Sequence, residues 1–273
     1  MLSETVLPDM LPRPPAISLA EYRQRRDTLM AQLPDNAAVV LPGASLVTRT
    51  RDSEFAFRQN SDFYYLTGLR EPNALLVLLP GRVEGESVVF CQDRDPTMEA
   101  WTGRRLGAAG VVAEHGVNQA FENAERDEQL GTLLAGRELL YLPLDSDEAV
   151  AMAEEALHTA QAGLKRGRPA LKGWLDISLL IHAMRLIKSD AEIALIKHAA
   201  LISAHAHRRA MRVSRPGLNE FQLQAELEHE FIWQGASGPV CRRYHPHVSG
   251  HRTVQRCAAG AVSGGARRPG ARR

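Results

Sequence analysis

The chain has 273 residues and a mass of 30.1 kDa, with 44% hydrophobic and 24% charged residues. That balance fits an ordinary globular protein and excludes a collagen-like, disordered or disulfide-dense chain. The net charge of +1 conceals a split: all 32 acidic and 25 of the 33 basic residues lie in 1–239, giving −7, whereas residues 240–273 carry eight arginines and no acid, giving +8. The length suits two domains of ordinary size. The longest apolar run, Ala74 to Leu79, is far short of the ~20 residues needed to span a bilayer. No basic-then-apolar signal pattern opens the chain, so a cytoplasmic location and no membrane partner are expected. Cys91, Cys241 and Cys257 are odd in number and widely spaced, which offers neither a disulfide framework nor a C-x-x-C metal knuckle.

Taken in order, residues 1–17 contain Pro8, Pro12, Pro14 and Pro15 and read as an extended arm, because proline fixes φ and removes a donor. Ser18 with Glu21 forms a capping-box pattern ahead of an apolar stripe, which predicts a helix over 18–33. The runs Ala37–Leu41, Ala74–Leu79, Ser87–Cys91 and Leu139–Leu142 are short, apolar and bounded by turn residues, so they read as strands. Helix-like stretches near 97–106, 119–135 and 146–163 alternate with the later strands, which predicts an α/β layer architecture. After about residue 165 no further strand is expected, and Lys165–Lys172 has the composition of a linker. Three helices are expected beyond it. The first covers 176–187; the second follows the Ser189/Glu192 capping box and runs to about Val213; the third is capped by Asn219 and ends near Gly235.

Common catalytic signatures are absent: there is no phosphate loop, no G-x-G-x-x-G, no nucleophile elbow and no H-E-x-x-H. His229-Glu230 lacks the second histidine that a zinc helix needs. His205 and His207 point about 200° apart on one helix, and solvated or packing roles are expected for them and for His198. The basic tail has the electrostatics of a nucleic-acid arm. Yet 18 of its 34 residues are Ala, Gly or Arg, and no aromatic follows Tyr244. Ala, Gly and Arg are what GC-rich coding DNA yields out of frame, so the tail reads as out-of-frame or otherwise foreign to the rest of the chain. Nucleic acid is not the expected partner.

One stretch is more informative. Asp52-Ser-Glu-Phe-Ala-Phe-Arg58-Gln-Asn-Ser-Asp62-Phe-Tyr-Tyr-Leu-Thr-Gly68, followed by Glu71-Pro-Asn-Ala-Leu75, resembles the aminopeptidase P family. The likeness continues through Arg94-Asp-Pro-Thr-Met-Glu-Ala-Trp101-Thr-Gly-Arg-Arg-Leu-Gly107, then Met184-Arg-Leu-Ile-Lys-Ser-Asp-Ala-Glu-Ile193, Arg215-Pro-Gly217 and His229-Glu-Phe231. It covers roughly 18–239 in order.

The resemblance implies an α/β fold: a creatinase/prolidase-type N-terminal domain with a mixed sheet and flanking helices, followed by the first helices of an incomplete pita-bread domain. The expected division is an arm at 1–17, the N-terminal domain at 18–172, the start of the pita-bread domain at 173–239 and a basic non-family tail at 240–273. The implied activity is that of an Xaa-Pro aminopeptidase, a metallo-exopeptidase that removes the N-terminal residue before proline. Its implied cofactors are two divalent metals, manganese by preference, held by Asp, His and Glu of the pita-bread strands. Such hard oxygen-rich sites suit Mn²⁺ and generate a hydroxide that can attack the amide.

This sequence has no Asp or Glu after Glu230, so a truncated chain with no catalytic residues, no metal of its own and no activity alone is expected. The alternative is a non-catalytic oligomerisation or regulatory module of a peptidase. The expected partners are peptides with proline second, for the intact enzyme, and further copies in a homo-oligomer. Asp52, Arg58 and Trp101 are the candidates for a substrate mouth or interface; Trp and Arg are enriched at such surfaces. A turn and polar network is the alternative for residues 58–62, and plain packing for Trp101. Gly68 and Gly103 read as backbone glycines.

Overall fold

A computed structural model describes residues 10–163 and 171–237; the basic tail and most of the predicted linker lie outside them. The described residues form two compact units, one of Ile17–Ile187 and the other of the N-terminal arm with the residues from Lys188 onward.

The first unit begins with α1 (Leu19–Met30), whose N-cap Ser18 accepts from the Glu21 N–H. Strand β1 (Ala37–Pro42) leads to a small hairpin of β2 (Thr48–Thr50) and β3 (Ser53–Glu54), then to α2 (Ser61–Thr67). After β4 (Leu75–Leu78) and β5 (Ser87–Cys91) come α3 (Pro96–Thr102), α4 (Gly107–His115), β6 (Gln119–Glu122) and α5 (Arg126–Leu134). The unit closes with β7 (Leu139–Leu142), α6 (Asp147–Gly163), β8 (Gly173–Asp176) and α7 (Ser178–Leu186).

Six strands form one sheet in the order β6-β5-β4-β1-β7-β8. The sheet is mixed: β4 runs antiparallel to both β1 and β5, while β7 is parallel to β1, β6 to β5 and β8 to β7. The residues of β1, β4 and β5 are buried without exception, and their side chains alternate between two cores. Ala37, Val39, Leu41, Leu76, Leu78 and Val89 meet Leu29, Phe63, Leu66, Val111 and Ile181 from α1, α2, α4 and α7. Ala38, Val40, Leu75, Val77, Val88 and Phe90 meet Leu133, Ala149 and Ala153 from α5 and α6. Burial on both faces is why these strands read as continuous apolar runs with no polar alternation.

Two buried contacts fix α1 and α2 on the sheet. Arg26, 1% exposed, donates through Nη1 to Leu66 O (2.8 Å) and through Nη2 to Gly116 O (2.7 Å). Gly68 ends α2 in the left-handed region at φ 69°, and a Cβ there would lie 2.7 Å from the Tyr22 ring. Glycine therefore satisfies both the helix stop and the close approach.

The structure corrects several sequence expectations. A strand does follow residue 165: β8 pairs with β7 from Leu139↔Gly173 to Leu142↔Asp176. The stretch 119–135 splits into β6, a 3₁₀ turn (Asn123–Glu125) and α5. Helices α2 and α4 carry no sequence prediction. Helix α7 packs on the first core through Ile181, fully buried like the preceding Ile177, beside the partly buried Leu180 and Met184, whereas Leu179 and Leu186 are exposed. The compact unit thus runs from Ile17 to Ile187.

In the second unit, α8 (Asp190–Val213) and α9 (Glu220–Trp233) form a helical pair, both opened by capping boxes, Ser189/Glu192 and Asn219/Gln222. Arg209 joins them, with Nε 2.6 Å from Glu226 Oε2. The described part of the proline-rich arm lies against α9: Leu11 N–H donates to Gln234 Oε1 at 2.9 Å. Ile196, Leu201, Phe221 and Ile232 are exposed on these helices. Among the described residues no helix is long and apolar enough to cross a membrane.

Candidate functional site

Two segments of the α/β unit leave the sheet; they carry Asp52 and Trp101, and Arg58 lies between the first of them and α2. The first is the β2–β3 hairpin. Its residues are exposed, Asp52 sits in its turn, and a bulge between Thr48 and Thr50 interrupts its pairing. Two short strands alone are marginal, so the hairpin depends on how its ends are held. Gln59, buried at 8% exposure, does this. Its Oε1 accepts from Ala44 N (2.6 Å) and Asn60 N (2.8 Å), and its Nε2 donates to Glu71 O (2.8 Å). Next along the chain, Asn60 caps α2 by accepting from Asp62 N and Phe63 N. Residues 58–62 thus form the turn and polar network expected as one reading of the sequence. Arg58 itself is exposed, and its Nη2 donates to Ser61 Oγ at 3.2 Å.

The second segment is α3. Asp95 caps it by accepting from Thr97 N and Met98 N, Pro96 occupies its first turn, and Gly103 ends it at φ 87°. None of its residues is buried, and Trp101 is 87% exposed. Plain packing therefore does not account for this tryptophan. No hydrogen bond or ion pair among the described residues joins Asp52, Arg58 and Trp101 to one another.

Where the two segments meet the sheet lies a group that sequence reasoning did not single out. Glu71 Oε1 accepts from Leu106 N–H at 2.7 Å. Burial pushes its carboxyl above the ordinary carboxylate range, against the opposing pull of the Leu106 N–H, His115 and Arg105. Burial also pushes the Cys91 thiol up to about 12, with Glu71, Glu122 and Asp93 adding to the effect, so this cysteine is a neutral core residue and not a nucleophile. A further cluster pins α7 to α2: Asp62 accepts from Arg185 and lies 3.0 Å from His182 Nε2. Among the described residues, no three His, Cys, Asp or Glu side chains are grouped to hold a metal ion. His207 contacts the Ser203 carbonyl of its own helix, and His229 stacks on Trp233.

The family described as aminopeptidase P, N-terminal domain, matches residues 22–141, which covers the sheet from before β1 into β7 together with both excursions. The Xaa-Pro aminopeptidase of Escherichia coli K12 is 39% identical over 226 residues, 82% of this chain. The chain belongs to the aminopeptidase P family. A solved Pseudomonas aeruginosa aminopeptidase superimposes with a TM-score of 0.79 at 40% identity, over 81% of this chain and 50% of that one. A zinc-substituted E. coli aminopeptidase P in complex with product gives 0.77 at 38% identity, over 81% of this chain and 51% of that one. The fold is thus the aminopeptidase P N-terminal region with the start of the catalytic domain. The chain spans about half the length of the curated relatives it matches, 51% of the E. coli protein.

Proposed function

We propose that this chain supplies the N-terminal domain of a cytoplasmic Xaa-Pro aminopeptidase, a metallo-exopeptidase that removes the residue preceding proline, and that on its own it does not hydrolyse peptides. In this reading the α8–α9 pair opens the pita-bread domain, and two divalent metals, manganese by preference, belong to the remainder of that domain. The described residues do not fit a metal pair, because no three suitable side chains converge, and no acid follows Glu230.

The observation that carries a role in assembly or access is the 87% exposure of Trp101 on a helix without one buried residue. Indole placed in water without packing gains free energy when a partner covers it. We assign Trp101, Asp52 of the hairpin turn and Arg58 to the substrate mouth or to the contact with another subunit of a homo-oligomer. The same exposure favours the second reading, in which the chain is a non-catalytic oligomerisation or regulatory module of a complete peptidase.

Two measurements on the purified 273-residue chain test this. With Mn²⁺ and an Xaa-Pro tripeptide, no release of the N-terminal residue is expected; turnover that a chelator abolishes would overturn the inactive assignment. In sedimentation, self-association is expected and should weaken about tenfold or more in Trp101→Ala, the loss of a buried aromatic anchor. Unchanged association removes Trp101 from the subunit contact.

A further inference from the structure

The chain leaves the sheet after Cys91, builds α3 and returns at Leu106 to start α4. Since α3 buries nothing, core packing cannot set the direction in which it holds Trp101. That direction is decided where the excursion closes. Within the excursion the Arg94 guanidinium holds Glu99 of α3 at 3.1 and 3.3 Å, and three further contacts lie at its ends. Arg105 Nη1 donates to Asp93 O at 3.3 Å. Gly107, at φ +63°, lies so close to Arg94 that an added Cβ would be 2.7 Å from its Cγ. The third is Leu106 N–H to Glu71 Oε1, at 2.7 Å.

The first two join residues of the excursion's own ends, whereas Glu71 comes from the segment entering β4. Glu71 is itself held by Gln59, which donates to its carbonyl at 2.8 Å. Its second carboxylate oxygen is buried with no hydrogen-bond partner among the described residues. The fixed geometry of the carboxylate therefore acts through Leu106. A carboxylate at the start of α4 is also favoured by the orientation of the helix peptides, and a hydrogen bond to an ionised acceptor is about twice as strong as a neutral one.

We propose that Glu71 is the positioning residue for Trp101: its carboxylate closes the neck of the α3 excursion on the sheet and thereby fixes where the indole is presented. The same residue holds the hairpin of Asp52 through its carbonyl, so one sheet-entry residue sets both excursions. The inference rests on the reading of Trp101 as a contact for peptide or subunit, but its test does not depend on that reading. The charged and titratable groups facing Glu71 are Arg105 at the neck, Glu114 and His115 on α4, and Cys91 on β5.

Hydrogen exchange of the Leu106 amide in the full chain reads the neck, with the Val77 and Val89 amides as the internal reference for global stability. Indole mobility is read from fluorescence anisotropy with Trp101 as the single tryptophan (Trp174→Phe, Trp233→Phe). In Glu71→Ala, Leu106 protection should fall about tenfold to a hundredfold and Trp101 anisotropy should drop, while Val77 and Val89 stay protected. Glu71→Gln keeps an acceptor oxygen without the charge and should restore both readouts in part, to the level that the protonated carboxyl gives.

In the parent chain, Leu106 protection, corrected for intrinsic exchange, should decline as pH falls through the raised Glu71 pKa; in Glu71→Gln it should be flat across that range. Where Glu71→Ala also deprotects the core amides, the pH profiles of the parent and Glu71→Gln decide. A Leu106 amide equally protected in Glu71→Ala, an indole equally immobile, or identical pH profiles in parent and Glu71→Gln would overturn the assignment. A neck that behaves as expected beside unchanged association of Trp101→Ala would instead sink the reading of Trp101 and leave Glu71 in place.

Discussion

The side-chain amide of Gln59 donates to the carbonyl of Glu71 at 2.8 Å while its oxygen accepts from Ala44 N and Asn60 N. One buried amide thus ties the base of the β2–β3 hairpin to the entry of β4. Gln59→Ala would leave these backbone groups without their partner in a largely dry site. The expected loss is about 2–4 kcal/mol, since a buried unpaired polar group costs ~1–3 kcal/mol, read as a lower urea midpoint. A loss below 0.5 kcal/mol would mean that water replaces the amide freely.

Among the described residues Arg26 is the largest side chain to be fully buried. Burial pushes its guanidinium down to about 10, so it stays charged at neutral pH and needs the Leu66 and Gly116 carbonyls. Lysine has a single ammonium and no fork to reach both. Arg26→Lys should cost about 1–2 kcal/mol and Arg26→Met about 3 kcal/mol, because Met leaves both carbonyls unpaired. Thermal unfolding of the two variants checks the order; Met equal to or more stable than Lys would contradict it.

The start of α7 predicts a pH dependence. The Ser178 N–H donates to Asp176 Oδ1 at 2.9 Å and holds the Asp176 carboxyl below its ordinary range. A carboxyl whose pKa is depressed by folding contributes stability that is present above its unfolded pKa and lost as pH falls through the folded one. Asp176 is half-buried, and solvent screens its charge, so the effect is modest. Denaturant unfolding from pH 6 down to pH 3 should show a shallower acid slope in Asp176→Asn, which keeps the cap without the charge. Equal slopes in the two proteins would show that other carboxylates set the acid limit.

The sequence by itself determined the strands of the sheet centre and the helix starts, for a local reason in each case. β1, β4 and β5 are runs buried on both faces, β7 is a short apolar run buried at alternate residues, and Ser18, Ser189 and Asn219 carry their cap signals within three residues. It also carried the family likeness, and through it Asp52, Arg58 and Trp101. Tertiary structure alone decided what lies at the edges. β6 and β8 are half-exposed strands of four residues, strands only because β5 and β7 offer them free backbone groups. Helix α7 reads as part of the second region until Ile177 and Ile181 find the first core. The neck residues Gln59 and Glu71 were not legible, because their work is hydrogen bonding to backbone groups 12 to 35 residues away. Such bonds leave no period or spacing in the sequence; they exist only once the sheet has brought these segments together.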